Sequence, residues 1–315
     1  MLVAGLAAAL VAGIWPVSAH ATLAPAKAPV YVPAGFVGTM KTEAQVDGYL
    51  ANFADYGFGQ LLFELPGLRH NGTMRLTATH IAMMDRWIQR AALYQAQHGV
   101  AFEITAVING RVSKMASLDK ASIRANIVAA VKVLVADNHM QGVNLDFEPY
   151  PNTASFLRLL DELNTMYASV GFTGRVSIVT PTFVEQWSPS YWASVASRVN
   201  QLNPTFYDST FTSVAEYKLW IEDGLAQISA AVPRSTLIVP ILASYRQNPW
   251  HNPLVENMSS GAAALQESLA AGSRVHGAGA WWWWGLFYNE GGRYNAAADR
   301  AAWQGQVRIL DYTAP

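Results

Sequence analysis

The sequence predicts an α/β fold, a single (β/α)8 TIM barrel without a sizeable inserted subdomain. The chain has 315 residues, 51% of them apolar and 14% charged, which suits one large and well-buried domain. Short runs of strand character alternate with longer amphipathic patterns, and this alternation occurs eight times. Open doubly wound sheets commonly have fewer strands, and no glycine-rich phosphate-binding pattern follows the first predicted strand.

The predicted strands are short runs rich in β-branched, aromatic and aliphatic residues. They cover residues 30–37, 60–65, 101–108, 142–148, 175–182, 201–207, 236–243 and 277–284. Strands that alternate with helices form parallel sheets, so these eight are expected to lie side by side around one barrel.

The predicted helices occupy the stretches between the strands. They cover residues 42–56, 77–97, 117–138, 152–170, 189–199, 214–232 and 259–271. The first begins with Thr-x-x-Gln, the pattern of a capping box that ties a helix N-terminus. Residues 243–277, which join the last two strands, have room only for a loop and a helix, so no subdomain is expected there.

The N-terminus predicts a secretory signal peptide over residues 1–21, followed by a barrel over residues 22–315. Residues 1–17 are almost wholly apolar, and Ser-Ala-His-Ala then fits a small-x-small cleavage pattern, although no Lys or Arg precedes the apolar run. A permanent membrane anchor is the rival interpretation, but the uninterrupted apolar stretch is shorter than the roughly 20 residues that span a bilayer. Pro16 also interrupts it. We therefore expect a secreted or periplasmic protein with no stable membrane anchor.

Composition excludes several classes of function. The formal net charge is -1 and no run of Lys or Arg occurs, so no nucleic-acid partner is expected. The chain has no Cys, which excludes a thiol nucleophile and a thiolate metal site, and its seven His are scattered without a pair at ligand spacing. We therefore expect no metal and no cofactor. Eleven Trp and thirteen Tyr offer flat faces suited to a neutral carbohydrate partner.

Residues 142–148 read Gly-Val-Asn-Leu-Asp-Phe-Glu, a strict alternation of apolar and polar residues after the glycine. Side chains two apart on a strand share a face, so Asn144, Asp146 and Glu148 point one way. In a barrel the apolar side must face the helices, and the acids must then face the mouth where such folds hold their active sites. Two carboxyl groups on one face also disfavour each other's ionisation, which raises one pKa. The alternative is a solvated or salt-bridged pair on a surface strand.

The same segment resembles a known catalytic signature. Residues 141–148, Gln-Gly-Val-Asn-Leu-Asp-Phe-Glu, resemble the Asp-x-x-Asp-x-Asp-x-Glu motif of family 18 glycoside hydrolases, the chitinases and endo-β-N-acetylglucosaminidases. Residues 205–208, Thr-Phe-Tyr-Asp, resemble that family's Met-x-Tyr-Asp, and residues 277–284 resemble its final strand, which ends in a Trp under the bound sugar. The departures are Gln141, Asn144 and Thr205 in place of Asp, Asp and Met.

The resemblance implies a role for each motif residue. Glu148 would be the general acid, and Asp146 would orient the substrate's own acetamido group, whose oxygen attacks the anomeric carbon in place of an enzyme nucleophile. Asn144 would hydrogen-bond Asp146 from below. Tyr207 would donate to the acetamido oxygen, and Asp208 would help hold the reacting group.

Further residues are candidates for binding substrate. Trp281 and Trp283 share a side of the last predicted strand, so that pair is expected to contact sugar, with packing of all the neighbouring Trp rings as the alternative. Glu64 and Tyr150 lie at the ends of the second and fourth predicted strands. Other residues fall on loops at the same rim by topology: Asn109, Glu185, Trp187, Tyr245 and Arg246.

Three functions remain open on this sequence. The leading one is a secreted hydrolase of β-linked N-acetylglucosamine-containing glycans, such as chitin, peptidoglycan or an N-glycan core, by substrate-assisted retaining catalysis. The second is a retaining barrel glycosidase in which Glu185 or Asp208 is the nucleophile, about 5 to 5.5 Å from the acid. The third is a non-catalytic, chitinase-like sugar-binding protein, which retention of Glu148 disfavours.

Overall fold

The structure is a computed structural model and describes residues 27–313, except 116, 138–139, 183–184, 247, 282 and 288–293. The predicted signal peptide, residues 1–21, lies outside the described residues. Within them, nine parallel strands form one sheet. They are β1 (Ala28–Val32), β2 (Phe58–Glu64), β3 (Glu103–Arg111), β4 (Gly142–Glu148), β5 (Arg175–Thr180), β6 (Gln201–Phe206), β7 (Leu237–Ile238), β8 (Ile241–Ala243) and β9 (Gly279–Trp281).

The sheet closes on itself, which confirms the predicted (β/α)8 barrel. Strands β1 to β5 pair in sequence, β5 pairs with β6, and β9 returns to β1. Both β7 and β8 pair with β6, so they are two pieces of a single barrel strand. The break between them includes Pro240, which has no N–H to donate to a ladder.

Helices surround the barrel, and seven of them match the predicted set to within a few residues. The described helices are α1 (Gly35–Gly38), α2 (Glu43–Asp55), α3 (Ala78–His98), α4 (Ala121–Lys132), α5 (Ala154–Val170), α6 (Pro189–Ala196), α7 (Val214–Ala231), α8 (Met258–Ala270), α9 (Trp283–Phe287) and α10 (Ala296–Ala302). The predicted capping box is present at the start of α2, where Thr42 and Gln45 each bond the other's backbone N–H. None of the helices in this described part combines the length and the apolar character needed to cross a membrane.

The first and the last predicted strands end earlier than expected, where the chain turns into a helix. The first strand stops at Val32, because Pro33 cannot continue the ladder, and the chain then turns into α1, which buries Phe36 and Val37. The last strand stops at Trp281, and the helix α9 begins two residues later. The second correction changes which Trp rings can reach the barrel mouth.

The barrel has an apolar outside and a partly polar inside. Val143, Leu145 and Phe147 of β4 belong to the large core between strands and helices, where Phe147 packs against Phe156 of α5 with ring centroids 5.6 Å apart. This orientation confirms the predicted parity of β4. The opposite faces of the strands fill the barrel interior.

The lower interior of the barrel is a hydrogen-bonded polar layer. Arg175 donates to both oxygens of Glu103 at 3.2 and 3.1 Å and to the amide oxygen of Gln201 at 3.2 Å. Gln60 donates to Glu103 at 2.9 Å and accepts from Gln201 at 3.1 Å. Buried polar groups are tolerated when their hydrogen bonds are made, and here the amides of Gln60 and Gln201 add hydrogen bonds to a direct ion pair.

The close contact between α9 and the end of β8 gives a prediction on stability. A Cβ on Gly285 would overlap the backbone carbonyl oxygen of Ser244, which a side chain's movement cannot relieve. We expect Gly285→Ala to destabilise the fold by about 1–3 kcal/mol, measured by urea denaturation. Gly48→Ala in α2 is the matched control, since nothing lies within 4 Å of its Cβ, and it should be neutral or stabilising. Equal stability of the two variants would contradict this packing.

Candidate active site

Strand β4 carries its three polar residues into the barrel and up to its mouth. Asn144 is 0% exposed, Asp146 is 7% exposed, and Glu148 is exposed at the top. Glu148 lines an open cleft of about 670 Å³ together with Arg111, Ser113, Pro149, Tyr150 and Gln186. The predicted acid therefore faces a cavity that can admit a saccharide, and not the surrounding helices.

The predicted hydrogen bond from Asn144 to Asp146 is wrong. Asn144 accepts from the Tyr31 hydroxyl at 3.2 Å and donates to Ser177 Oγ at 2.9 Å and to Asn203 Oδ1 at 3.3 Å. These contacts use the amide within the barrel floor, below Asp146. Asn144 therefore links β1, β4, β5 and β6 through its side chain. It supports the part of β4 that carries Asp146 and Glu148.

Asn109 makes the contact that was expected of Asn144. Its Nδ2 donates to Asp146 Oδ2 at 2.9 Å, because Asn109 on β3 is in register with Asp146 on β4. Asn109 lies on β3 and not on the predicted rim loop, because β3 continues to Arg111, beyond the predicted end at residue 108. Extending that strand's alternation by one residue would have identified it as an inward-facing partner of the acids.

The carboxyl group of Asp146 is enclosed and only half satisfied. Its Oδ1 is buried and has no hydrogen-bond partner among the described residues. Burial raises the pKa of Asp146 to about 7, the charge of Glu148 adds to the rise, and the hydrogen bond from Asn109 opposes it. An incoming ligand with an N–H group would give this oxygen its missing partner.

Glu148 can hold a proton at higher pH than an ordinary glutamic acid. Desolvation by the cleft walls raises the pKa of Glu148, the charge of Arg111 opposes that rise, and the charge of Asp208 adds to it. A carboxylic acid that keeps its proton to higher pH than usual and remains open to a cleft can donate that proton to a bound ligand.

Glu64 brings a third carboxyl group to the same end of the barrel. It ends β2 on the face that also carries Gln60 and Leu62 inside the barrel. Burial raises the pKa of Glu64 to about 7, and a hydrogen bond from the backbone of Ala34 opposes the rise. Its role in binding substrate stays a prediction. In the described part of the chain, no three His, Asp or Glu side chains come together as a metal site requires.

Aromatic rings form one wall of the mouth. Trp281 at the end of β9 stacks on Tyr207, with centroids 5.9 Å apart and planes at 22°, and meets Tyr31 edge-on at 4.7 Å. The Tyr150 hydroxyl is 2.9 Å from Thr205 Oγ1, which fixes it across the site. The half-buried Trp281 and Tyr207 therefore present flat faces beside Asp146 and Glu148.

Two Trp rings that were candidates for contacting sugar are buried. Trp283 is 2% exposed and packs against Phe36, Tyr49 and Phe53 at 5.1 to 5.7 Å, because the chain turns into α9 between 281 and 283 and strand parity no longer applies. Trp187 is fully buried against Trp192, so it is a packing residue. Neither ring reaches the cleft.

Tyr207 and Asp208 follow directly on β6, as the motif predicted. Asp208 accepts a hydrogen bond from the Tyr245 hydroxyl at 2.5 Å. Burial raises the pKa of Asp208, and the bond from Tyr245 opposes that rise. Glu185 and Arg246, the other two rim candidates, are exposed on their loops.

Comparison with solved structures gives barrels of the same architecture. The catalytic domain of a family GH18 chitinase from the fern Peteris ryukyuensis matches with a TM-score of 0.58 and 16% identity, over 88% of this chain and 96% of that chain. A class V chitinase from Pseudomonas fluorescens Pf-5 matches with a TM-score of 0.58 and 15% identity, over 89% and 99%.

The spore cortex-lytic enzyme SleL from Bacillus cereus is also similar, with a TM-score of 0.56 and 11% identity over 81% of this chain and 70% of that chain. No protein-family model and no curated protein sequence matches the chain. The similarity in structure confirms the family 18 chitinase-like fold that the three motifs predicted.

Proposed function

We propose that this protein is an exported glycoside hydrolase that cleaves glycans containing β-linked N-acetylglucosamine. The observation that carries the proposal is the arrangement on β4. Glu148 is open to the cleft and has a raised pKa, and the buried Asp146 has one oxygen that no described residue hydrogen-bonds. The likeness of the fold to chitinases and to a spore cortex-lytic enzyme supports the same chemistry. Export follows from the predicted signal peptide at residues 1–21.

In the proposed first step, Glu148 gives its proton to the glycosidic oxygen as the bond to the anomeric carbon breaks. The oxygen of the substrate's acetamido group forms a bond to that carbon, so a cyclic oxazolinium ion replaces a glycosyl-enzyme. Asp146 Oδ1 accepts the acetamido N–H, and the Tyr207 hydroxyl donates to the acetamido oxygen. These contacts hold the attacking oxygen under the carbon.

In the second step, the Glu148 carboxylate takes a proton from a water molecule that attacks the anomeric carbon. The oxazolinium ring opens, the acetamido group is restored, and Glu148 regains the proton it lost. The sugar keeps its original anomeric configuration because the carbon is displaced twice. The cycle needs one titrating acid, one carboxyl that orients the amide, and no enzyme nucleophile.

The proposal is tested by giving the purified protein chitooligosaccharides and peptidoglycan fragments and identifying products by mass spectrometry. We expect cleavage beside N-acetylated units, none beside de-N-acetylated units, and competitive inhibition by a thiazoline that mimics the cyclic intermediate. Equal cleavage of de-N-acetylated oligosaccharides, with a trapped glycosyl-enzyme on Asp208 or Glu185, would favour the conventional nucleophile. Tight binding without product would favour the sugar-binding protein.

The stacked aromatic wall gives a prediction on affinity. Trp281 lies at the mouth beside Tyr207, so its removal should weaken sugar binding without removing either acid. We expect Trp281→Ala to raise KM about tenfold, which corresponds to about 1.4 kcal/mol of binding free energy. Trp284→Ala is the matched control, since Trp284 lies on α9 against Phe36 and Trp283. An equal change in KM for both variants would mean that Trp281 acts only through folding.

A further inference from the structure

The loop that carries Asp208 has an unfavourable backbone conformation. Asp208 has φ of 57° and Thr210 has φ of 63°, both in the left-handed region. L-residues rarely adopt this conformation, and it is least favourable for a β-branched residue such as Thr. Contacts with the rest of the protein must therefore hold the loop in place.

The buried carboxyl group of Glu256 bonds Ser209, the residue between Asp208 and Thr210. Glu256 is 1% exposed, and its Oε1 accepts from Ser209 Oγ at 2.9 Å. Its Oε2 accepts from the backbone N–H of Ser209 at 3.4 Å. The backbone N–H of Thr210 donates to the carbonyl oxygen of Trp250 at 3.2 Å, which fixes the other side of the loop.

The same carboxyl group reaches Asp208 by a second route. Glu256 Oε2 lies 3.1 Å from Nδ1 of His251, which is 2% exposed, and a carboxylate only accepts, so Nδ1 carries the hydrogen. The His251 ring stacks on the Tyr245 ring, with centroids 3.9 Å apart and planes at 24°. Tyr245 then donates to Asp208 Oδ1 at 2.5 Å. Ser209 and Tyr245 therefore hold the Asp208 loop at two points. Glu256 bonds Ser209 directly and reaches Tyr245 through His251.

We propose that His251 and Glu256 are positioning residues that hold the Asp208 carboxylate in its hydrogen bond with Tyr245 and thereby extend activity toward higher pH. The proposal rests on the proposed function, because it concerns the same acid. His251 and Glu256 touch no reacting atom in it, and they act through Tyr245, Ser209 and Asp208.

The electrostatics give the sign of the effect. Asp208 faces Tyr245, His251, Glu256 and Tyr150. Burial raises the pKa of Asp208, the hydrogen bond from Tyr245 opposes that rise, and the charge of Glu256 adds to it. Glu148 faces Arg111, Asp208, Tyr150 and Tyr31 and shares its strand with Asp146. The negative charge of Asp208 raises the pKa of Glu148. If Asp208 loses its bond, it takes up a proton more readily, its charge weakens, and Glu148 gives up its proton at lower pH.

The test compares pH profiles of kcat/KM for Tyr245→Phe, His251→Gln and the double variant. We expect the alkaline limb to move to lower pH in both single variants, and the double variant to move no further than the larger single change, because both act on one contact. Glu256→Gln and Glu256→Ala both remove the negative charge, but Gln keeps an acceptor for Ser209, so its alkaline limb should lie at higher pH than that of Glu256→Ala. His276→Gln is the control, since His276 is a buried His that precedes β9 at the opposite end of the barrel.

A second measurement does not depend on turnover. Carbon-13 NMR of the side-chain carboxyl groups, with the Glu148 signal assigned from Glu148→Gln, follows the titration of Glu148 directly. We expect its midpoint to fall in Tyr245→Phe and in His251→Gln. Loss of thermal stability in His251→Gln, with an unchanged Glu148 midpoint, would overturn the proposal and leave a packing role. If the wild type cleaves no glycan, the proposed function fails, while this titration still decides the positioning role.

Discussion

Glu148→Gln is expected to lower kcat on chitooligosaccharides by at least about 10²-fold and to leave KM nearly unchanged. The amide keeps the shape and hydrogen-bonding capacity of the acid but cannot release a proton to the glycosidic oxygen. Glu148 lines the cleft and has a raised pKa, so it is the residue placed to supply that proton. Steady-state rates with natural oligosaccharides measure the loss.

The leaving group provides a sharper form of this experiment. A phenol that is a strong acid leaves without full protonation, so an aryl glycoside of N-acetylglucosamine should lose much less activity in Glu148→Gln than the oligosaccharide does. Glu216→Gln on the exposed N-terminal turn of α7 is the matched control and should behave as wild type. An equal loss on both kinds of substrate would mean that Glu148 is not the general acid.

Asp146→Asn is expected to have two opposite effects, a loss of activity and a gain of stability at alkaline pH. The pKa of Asp146 in the folded protein is about 7, above the ordinary value of about 3.9. Below about pH 4 both states hold the proton, but between about pH 4 and 7 the unfolded chain ionises while the folded protein keeps its proton. Stability therefore falls as pH rises through this window.

Asp146→Asn avoids this loss of stability because its amide does not ionise. We expect it to be more stable than wild type at pH 8, by on the order of 2–4 kcal/mol, and about equal at pH 3.5. Urea denaturation at the two pH values measures the difference. Its turnover should fall about 10²-fold or more, since the amide cannot balance the charge of the reacting acetamido group.

Asp85→Asn on the exposed side of α3 is the matched control. Its free energy of unfolding should equal that of the wild type at both pH values. Equal stability of Asp146→Asn and wild type at pH 8 would show that Asp146 is ionised at little cost in the folded protein. Full activity of Asp146→Asn would remove it from the proposed mechanism.

The local sequence pattern predicted the structure correctly where the residues follow a single periodicity. Residues 142–148 alternate strictly, so both the bounds and the orientation of β4 were predicted correctly. Prediction failed where a single residue overrode the pattern. Pro33 ended the first strand early, and the run of Trp after residue 280 hid the change from strand to helix that buries Trp283.

The candidate site was predicted as a set of motif residues, but not as a network. Asp146 and its donor Asn109 are separated by 37 residues, and only the register of β3 against β4 brings them together. His251 and Glu256 lie on a loop without periodicity, and their link to Asp208 depends on how that loop folds over the end of β6. No local rule of spacing identifies such partners.

The buried ion pair of Arg175 and Glu103 also bears on engineering this molecule. The groups that perturb the two acids of β4 are rim residues and one another, and the ions of the lower layer are not among them. The pKa of Glu148 can therefore be changed by substituting residues at the mouth of the barrel. Neutralising Arg111, whose charge lowers the pKa of Glu148, should extend activity toward alkaline pH. The hydrogen bonds of the lower polar layer should stay unchanged.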